Sequence, residues 1–195
     1  MRRYFDPMKK LLLTVALAAA GAAWLQGCVV AHATGQAVVA DATPDNHVHI
    51  VIVPTHWQDD GRPNAARVAA DRHLATLFPA LATRMPQDFR HNGVEADATL
   101  LEPDAPMPAP GGTRTLVIRP SQAGWIDRSA GTWLDLSVTL IDAGRGVLWK
   151  GSIRLSSGTP ASYDASAVDH AVIPLLEQLR DAKLIDISWR RPTTP

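Results

Sequence analysis

The chain has 195 residues, 46% of them hydrophobic and 19% charged, with one cysteine and a formal net charge of zero. That length suits one globular domain plus a leader, and the composition excludes a disordered chain, while a single cysteine excludes an internal disulfide framework. Arg2, Arg3, Lys9 and Lys10 against Asp6 put residues 1–27 at +3 and leave −3 on the rest, which excludes the clustered-cation footprint of a nucleic-acid binder.

Lys9 and Lys10 precede an apolar run from Leu11 to Ala20, continued by Gly21-Ala22-Ala23-Trp24. A basic start followed by about a dozen apolar residues is the pattern of a secretory signal peptide, and it falls short of the ~20 residues a spanning helix needs. The run ends Leu25-Gln26-Gly27-Cys28. This tetrad resembles the lipobox of bacterial lipoproteins. The resemblance implies a diacylglycerol thioether on Cys28, cleavage before it, and acylation of the new N-terminus. Residues 1–27 are then the signal peptide. Residues 28–46, rich in Ala, Thr, Gly, Asp and Pro, read as a lipidated N-terminus and tether. Val29 stands where enteric-type lipoproteins retained in the inner membrane carry Asp, so the resemblance points to the outer membrane, facing the periplasm.

The folded body is expected over 47–189, with a tail at 190–195. His47 to Pro54 is rich in β-branched residues and reads as a central strand. After a polar loop, Val68, Leu74, Leu77, Phe78, Leu81 and Met85 form an apolar stripe at helical spacing. Pro79 and Pro86 predict a kinked helix or two abutting ones, with Asn92-Gly93 as its stop. Val94–Leu101 is a second strand. Glu102–Gly112, with four prolines, is a loop, and Thr115–Arg119 resumes a strand. Leu134, Leu136, Val138 and Leu140 alternate with polar residues, turn at Asp142–Gly146, and return through Val147–Leu155: an antiparallel hairpin. Asp164 is a candidate N-cap for a last helix striped by Val168, Val172, Leu175, Leu176 and Leu179. Leu184–Trp189 is a short closing strand or an extended tail.

The order β-α-β-β-β-β-α predicts an α+β two-layer sandwich with a mostly antiparallel sheet. This element order, with Gly146–Gly151 and Leu175–Ile185, resembles small periplasmic lipoprotein domains of Gram-negative envelopes, of the LpoB and curli-secretion-lipoprotein type. It implies a tethered, non-catalytic binding or assembly accessory whose partners are the membrane, through Cys28, and another envelope protein or peptidoglycan.

Candidate chemistry is sparse. His47 and His49 share one strand face, and His56 follows in the next loop; together they are weak candidates for a metal site, against an exposed polar face. This motivates the alternative of a ligand- or metal-binding module. Ser166, Asp169 and His170 stand close in sequence, but on one helix and pointing to different sides, and no G-x-S-x-G is present, so an envelope hydrolase ranks last. Gly111-Gly112 lacks the lysine of a phosphate loop, and no cofactor is expected. Trp149 alternates with core residues and should be buried. Trp133, on the polar side of its strand, and Trp125, in a loop after Gly124, are candidate partner-surface residues.

Overall fold

The computed structural model describes residues 29–54, 65–103, 105–109, 111–126, 131–157, 163 and 165–187, with side chains from 73 onward in the first helix. Cys28, the lipobox, His56, Asp164 and Trp189 lie outside the described residues.

Six strands form one sheet: β1 (Val29–Ala37), β2 (His47–Ile52), β3 (Glu95–Leu100), β4 (Arg114–Trp125), β5 (Thr132–Asp142) and β6 (Gly146–Ser157). Helix α1 (Ala65–His91) links β2 to β3, and α2 (Ala165–Asp181) follows β6. The strand order is β1-β6-β5-β4-β2-β3. β1, β6, β5 and β4 pair antiparallel in turn, whereas β2 runs parallel to both β4 and β3. The fold is therefore the expected small α+β sandwich, and the strand at His47 is internal.

Both helices pack on one face, α1 over β2, β3 and β4, α2 over β1 and β6, and the two helices pack on each other. The core is continuous. Leu77, Leu81, Met85 and Phe89 of α1 and Val168, Val172, Leu175, Leu176 and Leu179 of α2 are buried with Ile50, Ile52, Leu116, Ile118, Leu134, Leu136, Leu140 and Trp149 of the sheet. A second, smaller apolar cluster forms on the opposite face: Val51, Val53 and Val117, with Leu101 and Ile141 packed against them. Leu101 opens the proline-rich segment, of which Pro108, Ala109 and Gly111 line a cavity with His49 and Thr115 on the same face.

The structure corrects two expectations and chooses between stated alternatives in two more. The stretch 28–46, expected as a tether, is structured from its second residue: Val29–Ala37 is an edge strand paired with β6 along its whole length, Val29 opposite Ser157 and Ala37 opposite Trp149. Its core-facing residues are Val29, Ala31, Ala33 and Gly35, small enough to resemble a linker composition. Second, of a kinked helix or two abutting ones, the structure has a single helix that runs through both Pro79 and Pro86; packing of its apolar face offsets the lost backbone bonds. Third, β4 does not stop at Arg119 but runs on to Trp125, across Pro120 and a bulge before Gln122. β2 pairs with β4 only as far as Ile118, so Pro120 meets a partner strand on one side alone, where a missing N–H costs least. Trp125 accordingly ends a strand and does not sit in a loop. Fourth, of a closing strand or an extended tail, the strand is not formed: among the described residues Leu184–Ile187 joins no strand ladder. It is held by Asn46, whose Nδ2 donates to the Asp186 carbonyl (2.7 Å) and whose Oδ1 accepts from the Asp186 N–H (2.8 Å).

Both helices end in the same way. Gly93, at φ 84°, donates to the Arg90 carbonyl, and Val94 donates to Phe89. This six-to-one and five-to-two pair is a Schellman cap. At the end of α2 Lys183, at φ 57°, donates to Arg180, and Leu184 donates to Leu179.

Candidate functional site

The face of the sheet away from the helices carries most of the polar residues of the strands. On β1, β6 and β5 the register sets His32 opposite Arg154 and Arg154 opposite Asp135, with Thr34, Ser152 and Ser137 aligned in the next row of that face. Arg154 grips Asp135 with both ends of its fork: Nε donates to Oδ1 (2.8 Å) and Nη2 to Oδ2 (2.7 Å). Asp135 is buried and Arg154 is half open to solvent. The hydrogen bond to Asp135, ahead of their mutual attraction, pushes the already high Arg154 pKa further up. Bidentate pairing of this kind fixes direction as well as charge. The guanidinium carbon also lies 4.5 Å from the centre of the Trp133 ring, a cation–π contact. Trp133 in turn lies against Gly124, where a methyl group would come within 2.5 Å of the indole. A cleft of about 300 Å³ opens beside this group, lined by His32, Thr34, Asp135, Ser152 and Arg154. A second, shallower one of about 510 Å³ continues from it along Thr34, Gln36, Lys150 and Ser152.

At the other end of the same face, His49 Nδ1 is 2.6 Å from Asp97 Oδ2, across the parallel β2–β3 pair. Thr99, two residues on, places Oγ1 3.4 Å from His49 Nε2. A cavity of about 290 Å³ lies here between His49, Asp97, Thr115 and Pro108, Ala109 and Gly111 of the proline-rich segment. The carboxylate orients the imidazole as in an acid–base pair, but Asp97 and Thr99 are exposed, which leaves the pair in water.

The structure separates the expected metal candidates. His47 is 70% exposed and turns to Asp45 (3.2 Å), whereas His49 turns to Asp97. Among the described residues no three His, Cys, Asp or Glu side chains converge as metal ligands. Asp169 points to Arg84 (3.5 Å) and stands exposed with Ser166 and His170 on α2. Trp133 is half-buried under Arg154, Trp125 is 47% exposed, and Trp149 is fully buried. Sequence reasoning passed over Asp135, Arg154, Asp97 and Thr99. The first two could have been paired from the hairpin, whose turn at 143–145 brings position 135 to 154 once the extra residue at Leu148 is allowed for. Asp97 and Thr99 carried no signal, because parallel register depends on a helix of unknown reach.

No protein-family model matches the chain, and no curated protein matches it. Among solved structures, the PelC dodecamer from Paraburkholderia phytofirmans is similar at 14% identity, over 80% of this chain and all of that one, with a TM-score of 0.39. A variant PelC dodecamer from the same organism is similar at 16% identity, over 79% of this chain and 99% of that one, with a TM-score of 0.37. Among the described residues no helix is long and apolar enough to cross a membrane.

Proposed function

We propose that the chain is an exported lipoprotein, anchored through Cys28 and acting as a non-catalytic binding or assembly accessory in the cell envelope, with the helix-free sheet face as its contact surface. The basic and apolar leader ending in Leu25-Gln26-Gly27-Cys28 supports the export and the anchor. One observation carries the contact surface: two continuous clefts on β1, β6 and β5, lined by hydrogen-bonding side chains around a pre-oriented Arg154 and flanked by Trp133. A fixed guanidinium, neutral hydroxyls and a half-buried indole suit recognition of a polar envelope partner, protein or peptidoglycan.

The test is site-specific photocrosslinking in cells. A photoreactive residue at Ser152 or Thr34 should give a discrete adduct that is lost in Arg154→Ala, whereas one at Glu177, on the outer side of α2, should give none. Equal labelling at all three positions, or none at Ser152 and Thr34, would refute the surface. The anchor is tested apart from it: Cys28→Ala should leave an uncleaved precursor that no longer fractionates as a lipoprotein.

The His49 cavity supports a second reading, a small-ligand or metal-binding module, because an imidazole oriented by Asp97 lines a half-open cavity. Zinc titration of the parent against His49→Ala decides it; identical isotherms exclude His49 as a ligand.

A further inference from the structure

The lipid attachment point and the fold have no slack between them. Cys28 is followed at once by Val29, which is already paired with Ser157 in the sheet; adjacent Cα atoms are about 3.8 Å apart. Whatever lies in the membrane beside residue 28 therefore lies beside this end of the sheet. The row that starts at Val29 continues through Ser157 and Thr132 to Trp125. Three strand spacings of about 4.8 Å place Trp125 roughly 14 Å along that row from Val29.

Of the seven large apolar side chains that stand exposed among the described residues, three lie at this end, where β1 begins and β4 ends. Trp125 is 47% exposed, Ile126 37% and Val30 50%. Val30 shares the next row with Ser156, Trp133 and Gly124. The opposite end of β5 and β6 closes on the Asp142–Gly146 turn, where Asp142 Oδ1 accepts from the Gly144 and Arg145 N–H groups. Tryptophan favours a bilayer–water boundary because one part of its ring is apolar and its N–H is polar.

We infer that the Val30, Trp125 and Ile126 end of the sheet is a membrane-contact edge, seated in the headgroup region of the bilayer that holds the Cys28 lipid. The inference rests on the reading of Cys28 as lipidated. The strands then stand on the membrane, and the Gly144 turn points away from it. Ten residue steps along β5 at about 3.3 Å put that turn roughly 33 Å from the contact row.

The single native cysteine makes the test direct, because once lipidated it leaves introduced cysteines as the sole reactive thiols. Val30→Cys, Ile126→Cys and Gly144→Cys, each in the full processed protein, are labelled with an environment-sensitive fluorophore. The proteins are then reconstituted in phosphatidylethanolamine–phosphatidylglycerol vesicles that carry a spin label near the headgroups. The expected result is loss of most fluorescence, with a blue shift, at positions 30 and 126, and no change at 144. Mass spectrometry of the N-terminal peptide is run on the same samples. If the lipid is present on Cys28 and positions 30 and 126 are quenched no more than 144, the seating is overturned and the lipoprotein reading stands. If the lipid mass is absent, the lipoprotein reading fails and the seating falls with it.

Discussion

The join between β1 and the sheet can be tested at Gly35. The Trp149 indole is fully buried and lies across two glycines that face each other in register, Gly35 on β1 and Gly151 on β6. A methyl group on Gly35 would sit 2.0 Å from Trp149 Cζ2 and 2.4 Å from Cε2. Carbon atoms rest at about 3.5–4.0 Å, so the ring has to withdraw by roughly 1.5–2 Å. It cannot tip toward β6, because its Cη2 already stands 2.2 Å from where a Gly151 side chain would begin. The remaining relief is movement of β1, an edge strand with β6 as its one partner. Overpacking of this kind costs about 1–3 kcal/mol, and the reduced entropy of the unfolded alanine chain returns about 0.4–1 kcal/mol. Gly35→Ala should therefore lose about 1–2 kcal/mol in urea unfolding and speed amide exchange in β1 above that in β5. Gly111→Ala, with nothing within 4 Å of the added carbon, should stay within about 0.5 kcal/mol of the parent. In a Trp149→Phe background, which removes the colliding part of the ring, the Gly35→Ala penalty should fall below about 0.5 kcal/mol. An equal penalty in both backgrounds would refute the argument.

Three further outcomes follow from other parts of the structure. Lys183 holds a left-handed conformation at φ 57°, so Lys183→Gly should raise stability by about 0.5–1 kcal/mol, read as a higher urea midpoint at unchanged slope; a lower midpoint would contradict it. Tyr163 is buried and donates to the Thr132 carbonyl (2.8 Å) while its oxygen lies 3.0 Å from Thr132 Oγ1, so Tyr163→Phe should cost about 1–2 kcal/mol by leaving buried polar atoms unpaired, and no change in the midpoint would show those bonds to be dispensable. Burial first, then Asp169, pushes the Asp88 carboxyl above the usual carboxylate range, against Arg84 and His91, and its Oδ2 is buried without a partner. A folded pKa above the unfolded one penalises the ionised state; the penalty is complete above the folded pKa and gone below the unfolded one. Asp88→Asn should therefore stabilise the protein at neutral pH and lose that advantage in acid, as followed by thermal unfolding across pH.

The parts of the fold legible in the sequence are those with a strong period. The β5–β6 hairpin and the α2 stripe show theirs in long side chains, Leu134 to Leu140 and Val168 to Leu179, and both lie where the alternation puts them. β1 was hidden because its core-facing positions are small; the space above them is filled by Trp149, 114 positions after Gly35, and no local pattern reports so distant a partner. β4 past Arg119 was hidden because proline is a strand breaker only where a partner needs its N–H, and that depends on how far β2 reaches. The site divides in the same way. Trp133 was visible as an aromatic on a polar strand face, but Arg154 and Asp135 read as ordinary solvated charges until the register joined them.

Register also fixes how far each cleft would stand from a bilayer at the Cys28 end. Asp135 and Arg154 are three residue steps from the Thr132–Trp125 row, about 10 Å at strand rise. Thr115, which lines the His49 cavity, pairs with Ile141, nine steps from the same row and so roughly 30 Å away. On the proposed seating, the Arg154 cleft is open to partners that themselves lie at the membrane surface, while the His49 cavity faces solutes of the aqueous compartment. The two sites then differ in what a longer anchor does to them. A flexible insert of about twenty residues between Cys28 and Val29 lets the domain move by roughly 25 Å. It should weaken photocrosslinking from Ser152 to a membrane-bound partner and leave zinc binding at His49, if present, unchanged. Undiminished crosslinking with the insert would show that the partner is not confined to the bilayer surface.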